Sequence, residues 1–189
     1  ETPKAIGANI KYIDLTFENG FKIDMSALQN AVTANTKYIS VTHPHNPTGV
    51  CLTDGELKEL AAIAEKNNCY LLVDETYRDM AFENKLAPAC DYSPNIISVS
   101  SLSKTYGLPG IRVGWITCRN KALMHTFLAA KEQIHICGSV LDEEVAYRFL
   151  LHKNEHLQLI QKDILEKLNI TKNWIENQTD FEWVQPGGG

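Results

Sequence analysis

Two short runs, CYLLVDE (69–75) and NIISVS (95–100), carry apolar and β-branched side chains at successive positions instead of alternate ones. A strand can bear apolar groups on both sides only where both sides are covered, as in a parallel sheet packed between helices. The neighbouring chain supports that reading. KYISVT (37–42) reads as another strand, as do IKYIDL (10–15), RVGWITC (112–118) and FEWVQ (181–185). Between the strands come helical patterns: DMSALQNAVTA (24–34), with Asp24 or Ser26 as N-cap, and ELKELAAIAEKNN (56–68), behind the capping-box spacing of Thr53 and Glu56. Beyond them lie NKALMHTFLAAKEQIH (120–135), SVLDEEVAYRFLLHK (139–153) and an amphipathic run from Glu155 to about Gln178. The expected class is α/β, a mostly parallel sheet with helices on both faces. Residues 1–154 read as a first domain, and 155–189 as a long linking helix and the start of a smaller C-terminal α/β domain.

Composition narrows the function classes. A net charge of -5 speaks against a broad nucleic-acid surface. No apolar stretch is long enough to span a bilayer. Five scattered cysteines, Cys51, Cys69, Cys90, Cys118 and Cys137, form no CxxC pair, so reduced thiols and a cytoplasmic location are expected. His125, His135, His152 and His156 fall in helical patterns without a second set of ligands, and no metal is expected. The chain opens on Glu1, without a methionine, and closes on Gly187-Gly188-Gly189 directly after a strand-like run, which reads as part of a longer chain.

Ligand sites in open α/β sheets sit beyond the carboxyl ends of the strands. Asn46 in HPHNPTG (43–49), Asp74 and Tyr77 in DETY (74–77), and Ser101 and Lys104 fall at such ends, and Arg112 follows the glycines of SVSSLSKTYGLPGIRVGW (98–115); all would point at the same rim. Each alone has an ordinary explanation. NPTG is good turn chemistry, Asp74 could cap the next segment, and an isolated lysine is usually solvated. Independent ordinary explanations have no reason to recur in this order at successive strand ends.

The series NPTG, then DExY, then SLSKxxxxPGxRxGW resembles the class I and II aminotransferases, pyridoxal-phosphate enzymes of fold type I. The resemblance implies that residues 1–154 are a large cofactor-binding domain and that Lys104 forms a Schiff base with pyridoxal 5'-phosphate and then acts as general base. It further implies that Asp74 pairs with the ring nitrogen, that Asn46 and Tyr77 donate to the phenolic oxygen, and that Ser101 and Arg112 hold the phosphate. Gly107 and Gly110 would bend the chain so that Arg112 returns to the cofactor. Amino acids and 2-oxo acids are the implied substrates, and a homodimer the implied assembly. His43 and His45 flank Pro44 beside this site and are candidates for a contact or for a loop role. The family's phosphate-binding loop and ring-stacking aromatic would precede this region, and its carboxylate-binding arginine would follow it. Lys104 and Asp74 would equally serve a carbon-sulfur lyase or an amino-acid decarboxylase. A third reading is a ligand-sensing domain of a transcription regulator.

Overall fold

The computed structural model describes residues 2–188; Glu1 and Gly189, the terminal residues noted above, lie outside them. In chain order the elements are α1 (Thr2–Ala5), α2 (Met25–Ala31), β1 (Tyr38–Thr42), α3 (Asp54–Lys66), β2 (Tyr70–Asp74), β3 (Ile96–Ser101), β4 (Gly114–Thr117), α4 (Lys121–Ile134), α5 (Val140–Leu151) and α6 (Lys153–Glu176). Short 3-10 turns occupy Arg78–Met80, Ala89–Asp91 and Pro109–Ile111. The sheet order is β1-β2-β3-β4. The first three strands are parallel, and β4 runs antiparallel to β3. The protein is thus α/β with a mostly parallel sheet.

Helix starts follow their caps. The Asp24 carboxylate accepts from Ala27 N at 2.9 Å and opens α2. Thr53 and Glu56 form the reciprocal capping box of α3: Thr53 Oγ1 accepts from Glu56 N at 3.2 Å, and Glu56 Oε2 accepts from Thr53 N at 2.7 Å. The helix then buries Leu57, Leu60, Ala61 and Ala64, spaced to share one stripe, in a cluster with Ile39, Leu71, Val73 and Ile96. Residues paired across a ladder share a face, so Ile39, Leu71, Val73, Ile96 and Ser98 form the face toward α3. Asp74, Val99 and Ser101 stand on the other face, together with the exposed Tyr38 and Ile116. A smaller cluster of Leu102, Tyr106 and Ala146, joined by Trp115 and Phe149, packs α5 against the loop after β3.

Two segments differ from the strand pattern of their sequence. IKYIDL and FEWVQ form no strand. Alternation favours an extended chain, but a strand exists only through ladder bonds to a neighbour, and neither segment pairs with the described sheet. Ile13 instead packs onto the α3 cluster, and Phe181 packs against Trp174 at 5.4 Å between ring centroids. Among the described residues no helix is long and apolar enough to cross a membrane.

Candidate active site

Parallel β1, β2 and β3 end at Thr42, Asp74 and Ser101 on one rim of the sheet. The reversed direction of β4 brings its start to the same rim, where Gly114 pairs with Ser101. Close packing there admits no side chain at position 114, because a Cβ would lie 2.9 Å from Ser100 O. Arg112, two residues earlier, therefore returns to the rim beside the Lys104 loop. It adopts a left-handed conformation (φ 53°), and Nη1 donates to Pro109 O at 2.8 Å. Asp74 and Tyr77 follow β2, Ser101 and Lys104 follow β3, and Asn46 follows β1, so all six residues singled out in the sequence lie along one edge. Lys104, Arg112 and Asn46 are exposed, and Asp74, Tyr77 and Ser101 are half-buried.

Asp74 Oδ1 accepts from Thr76 N at 3.0 Å and Thr76 Oγ1 at 2.6 Å, a local turn bond that fixes the carboxylate. Oδ2 has no such bond among the described residues. Ser101 Oγ accepts from Ser103 N at 3.3 Å, and Lys104 O accepts from Gly107 N at 3.0 Å. The donor set suits a group with an aldehyde, a basic ring nitrogen, a phenolic oxygen and a phosphate, since it combines an amine, a carboxylate, a phenol, an amide, a hydroxyl and a guanidinium.

Beneath the rim lies a network that motif reading passed over. Thr105 Oγ1 donates to Thr76 O at 2.5 Å, and the Tyr106 hydroxyl donates to Asp79 Oδ2 at 2.5 Å. Arg78 Nε and Nη2 donate to Asp79 Oδ1 at 3.3 and 3.2 Å. Glu75 is buried; desolvation raises its carboxyl above the usual range, against hydrogen bonds from Ser98 and Ala89 N. A cavity of about 230 Å³ is lined by Glu75, Arg78, Asp79, Ser100, Tyr106 and Trp115, among others, and by none of the six rim residues. The only signal of this network in the sequence was the density of charge in DETYRD, directly after a buried strand.

His43 is 2% exposed, and its Nδ1 accepts from Leu52 N at 3.0 Å. Burial and then the Arg78 charge lower it to about 4, so it is neutral and serves the loop. His45 Nδ1 bonds to Thr48 Oγ1 at 2.9 Å, and burial lowers its pKa also. The turn itself has a partner at the far end of the chain: Gly49 O accepts from Gly187 N at 2.9 Å and Gly188 N at 3.1 Å. Gly49 has φ +69°, and a Cβ there would lie 2.5 Å from Pro186 Cβ.

Residues 3–174 match the pattern of the family described as "Aminotransferase class I and II". The chain is 28% identical over 194 residues to an aspartate aminotransferase of Pyrococcus horikoshii, covering 100% of this chain and 49% of that protein. It is 26% identical over 183 residues to a probable N-acetyl-LL-diaminopimelate aminotransferase of Bacillus subtilis, covering 96% and 46%. It is also 32% identical over 143 residues to the capreomycidine synthase of Streptomyces vinaceus, covering 75% and 36%. A PLP-dependent aminotransferase from Streptococcus suis superposes with a TM-score of 0.92 at 33% identity over 98% of this chain and 49% of that one. The chain spans between about a third and a half of the length of these relatives. A pattern match over nearly all its residues, with the same sheet and helices in a solved relative, places it: the chain belongs to the class I and II aminotransferase family, whose fold is that of the type I pyridoxal-phosphate enzymes.

Proposed function

We propose that this protein transfers an amino group from an amino acid to a 2-oxo acid, using pyridoxal phosphate held by Lys104. What supports the reading is that parallel β2 and β3, whose ends precede Tyr77 and Lys104, and the reversed β4, whose start follows Arg112, meet at one rim of the sheet. Pyridoxal phosphate supplies an aldehyde that captures amines covalently and a ring that withdraws electrons from the substrate α-carbon. Lys104 Nζ binds that aldehyde. The same amine, when not engaged with the cofactor, would serve as the general base that takes the proton from the substrate α-carbon. The unengaged Asp74 Oδ2 would keep a proton on the ring nitrogen, and Asn46 and Tyr77 would donate to the phenolic oxygen. Ser101 and Arg112 bind the phosphate, Arg112 through guanidinium nitrogens other than the one bonded to Pro109 O.

The test uses the full-length protein with pyridoxal phosphate, borohydride and peptide mapping. Reduced cofactor is expected on Lys104; its recovery on Lys121 or any other lysine overturns the assignment. A second reading is a carbon-sulfur lyase or amino-acid decarboxylase, which Lys104 and Asp74 would serve equally; one relative is named a synthase and not an aminotransferase. Incubation with an amino donor and an oxo acceptor separates the two, with an exchanged amino acid expected rather than an elimination product or carbon dioxide. We further propose a homodimer, a division of the chain at residues 154 and 155, and a reducing compartment such as the cytoplasm, the last in keeping with five free cysteines.

A further inference from the structure

The loop that carries Lys104 is open at Gly107 (φ +69°) and Gly110, where a Cβ would meet no neighbour, while its Leu108 and Ile111 pack onto the Leu102, Tyr106 and Ala146 cluster. Its inner side is pinned at the two residues directly after the lysine: Thr105 to Thr76 O, and Tyr106 to Asp79 Oδ2, both at 2.5 Å. Both acceptors belong to the segment that carries Asp74 and Tyr77. Asp79 is itself fixed three ways, by Arg78 on Oδ1, by its place in the Arg78–Met80 turn, and by α6, whose Gln161 Nε2 donates to Asp79 O at 2.9 Å.

We propose that Tyr106 and Asp79 are a positioning pair for Lys104, their hydroxyl-to-carboxylate bond setting the lysine loop at a fixed distance from the turn bearing Asp74 and Tyr77. The inference rests on the reading of Lys104 as the cofactor lysine. Packing alone fixes the Tyr106 ring, which is 8% exposed and lies edge-on to Phe149 at 5.9 Å and against Trp115 at 6.5 Å. A packed ring can still slide along its neighbours. The hydroxyl adds a directed, charge-assisted bond and turns a greasy contact into a register. Burial, together with the bond to Asp79, pushes the hydroxyl well above the usual tyrosine range, so it remains a donor. Lysine is a long side chain with many rotamers, and a loop displacement of about 1 Å can cost a rate factor on the order of a hundred.

The experiment compares Tyr106→Phe, Asp79→Asn, Asp79→Ala and the double variant Tyr106→Phe/Asp79→Ala in full-length protein loaded with pyridoxal phosphate. Tyr106→Phe keeps the ring and is expected to lower kcat about tenfold with KM within about threefold. Asp79→Asn retains an acceptor for the hydroxyl and is expected to recover kcat to within about threefold, whereas Asp79→Ala should match Tyr106→Phe and the double variant should be no worse than either single. In cofactor-free protein the Gly107 and Leu108 amides, which bond within the loop, should exchange about tenfold faster in Tyr106→Phe. A Tyr106→Phe enzyme within twofold of wild type in kcat, with unchanged exchange at those amides, overturns the proposal, and so does full additivity in the double variant. If Tyr106→Phe does not fold, the contrast between Asp79→Asn and Asp79→Ala decides alone, and equal losses in both refute the pair. Wild-type protein that takes no cofactor at Lys104 refutes the functional reading instead, while the exchange comparison still decides whether the pair holds the loop.

Discussion

Asp74 has one carboxylate oxygen held by Thr76, while the other makes no hydrogen bond among the described residues. Asp74→Asn keeps the shape and the Thr76 bonds but loses the charge that the proposed function assigns to the ring nitrogen. Turnover is therefore expected to fall by roughly a hundredfold or more while cofactor still attaches to Lys104, as read by single-turnover kinetics and borohydride labelling. A variant within threefold of wild type would make Asp74 a turn cap only. His43 gives a stability prediction. Its folded pKa of about 4 lies below the ordinary 6.5, so the unfolded chain binds the extra proton; its contribution is complete above pH 6.5 and is lost as pH falls toward 4. The stability difference between wild type and His43→Asn, from chemical denaturation, should shrink over that interval by at most about 3 kcal/mol. A difference independent of pH would show that His43 titrates normally. The six rim residues were legible in the sequence because each sits in a short local motif. Tyr106 and Asp79 were not, because their bond joins residues 27 apart through two loops whose paths only the fold determines.

Helix α3 and strands β1 to β3 were readable for the same reason that they are stable: capping, periodicity and burial agree in one short segment. IKYIDL and FEWVQ misled because a strand is a relation between two chains, and only one was in view. The direction of β4 was likewise hidden, since RVGWITC reads the same either way, yet that direction returns Arg112 to the rim. The loop from His43 to Val50 illustrates the point further. Its glycine meets an ordinary turn requirement and also makes room for Pro186 and the two glycines beyond it. Gly49→Ala combines a positive φ with a 2.5 Å contact, and should lower stability by more than about 1 kcal/mol, read as a drop in Tm. An unchanged Tm would mean that the Pro186 segment moves aside without cost.

At the scale of the molecule, Ile134, Ile136, Val140 and Leu141 crowd one stretch and are each more than three-quarters exposed. Exposed apolar patches of this kind are candidates for contact, and the proposed homodimer would cover this one. The full-length protein is expected to sediment as a dimer, and Val140→Asp with Leu141→Asp to shift it toward monomer; a wild-type monomer at micromolar concentration would refute this. The seating of Gly187 and Gly188 on Gly49 has a consequence of another kind. The Asn46 turn is closed by amides some 140 residues downstream, so a ribosome must deliver nearly the whole segment before that turn reaches its final form. During synthesis β1, β2 and β3 can pair while the loop beside them is still unlatched. The order in which the chain is born therefore makes the part that would meet a ligand one of the last to set.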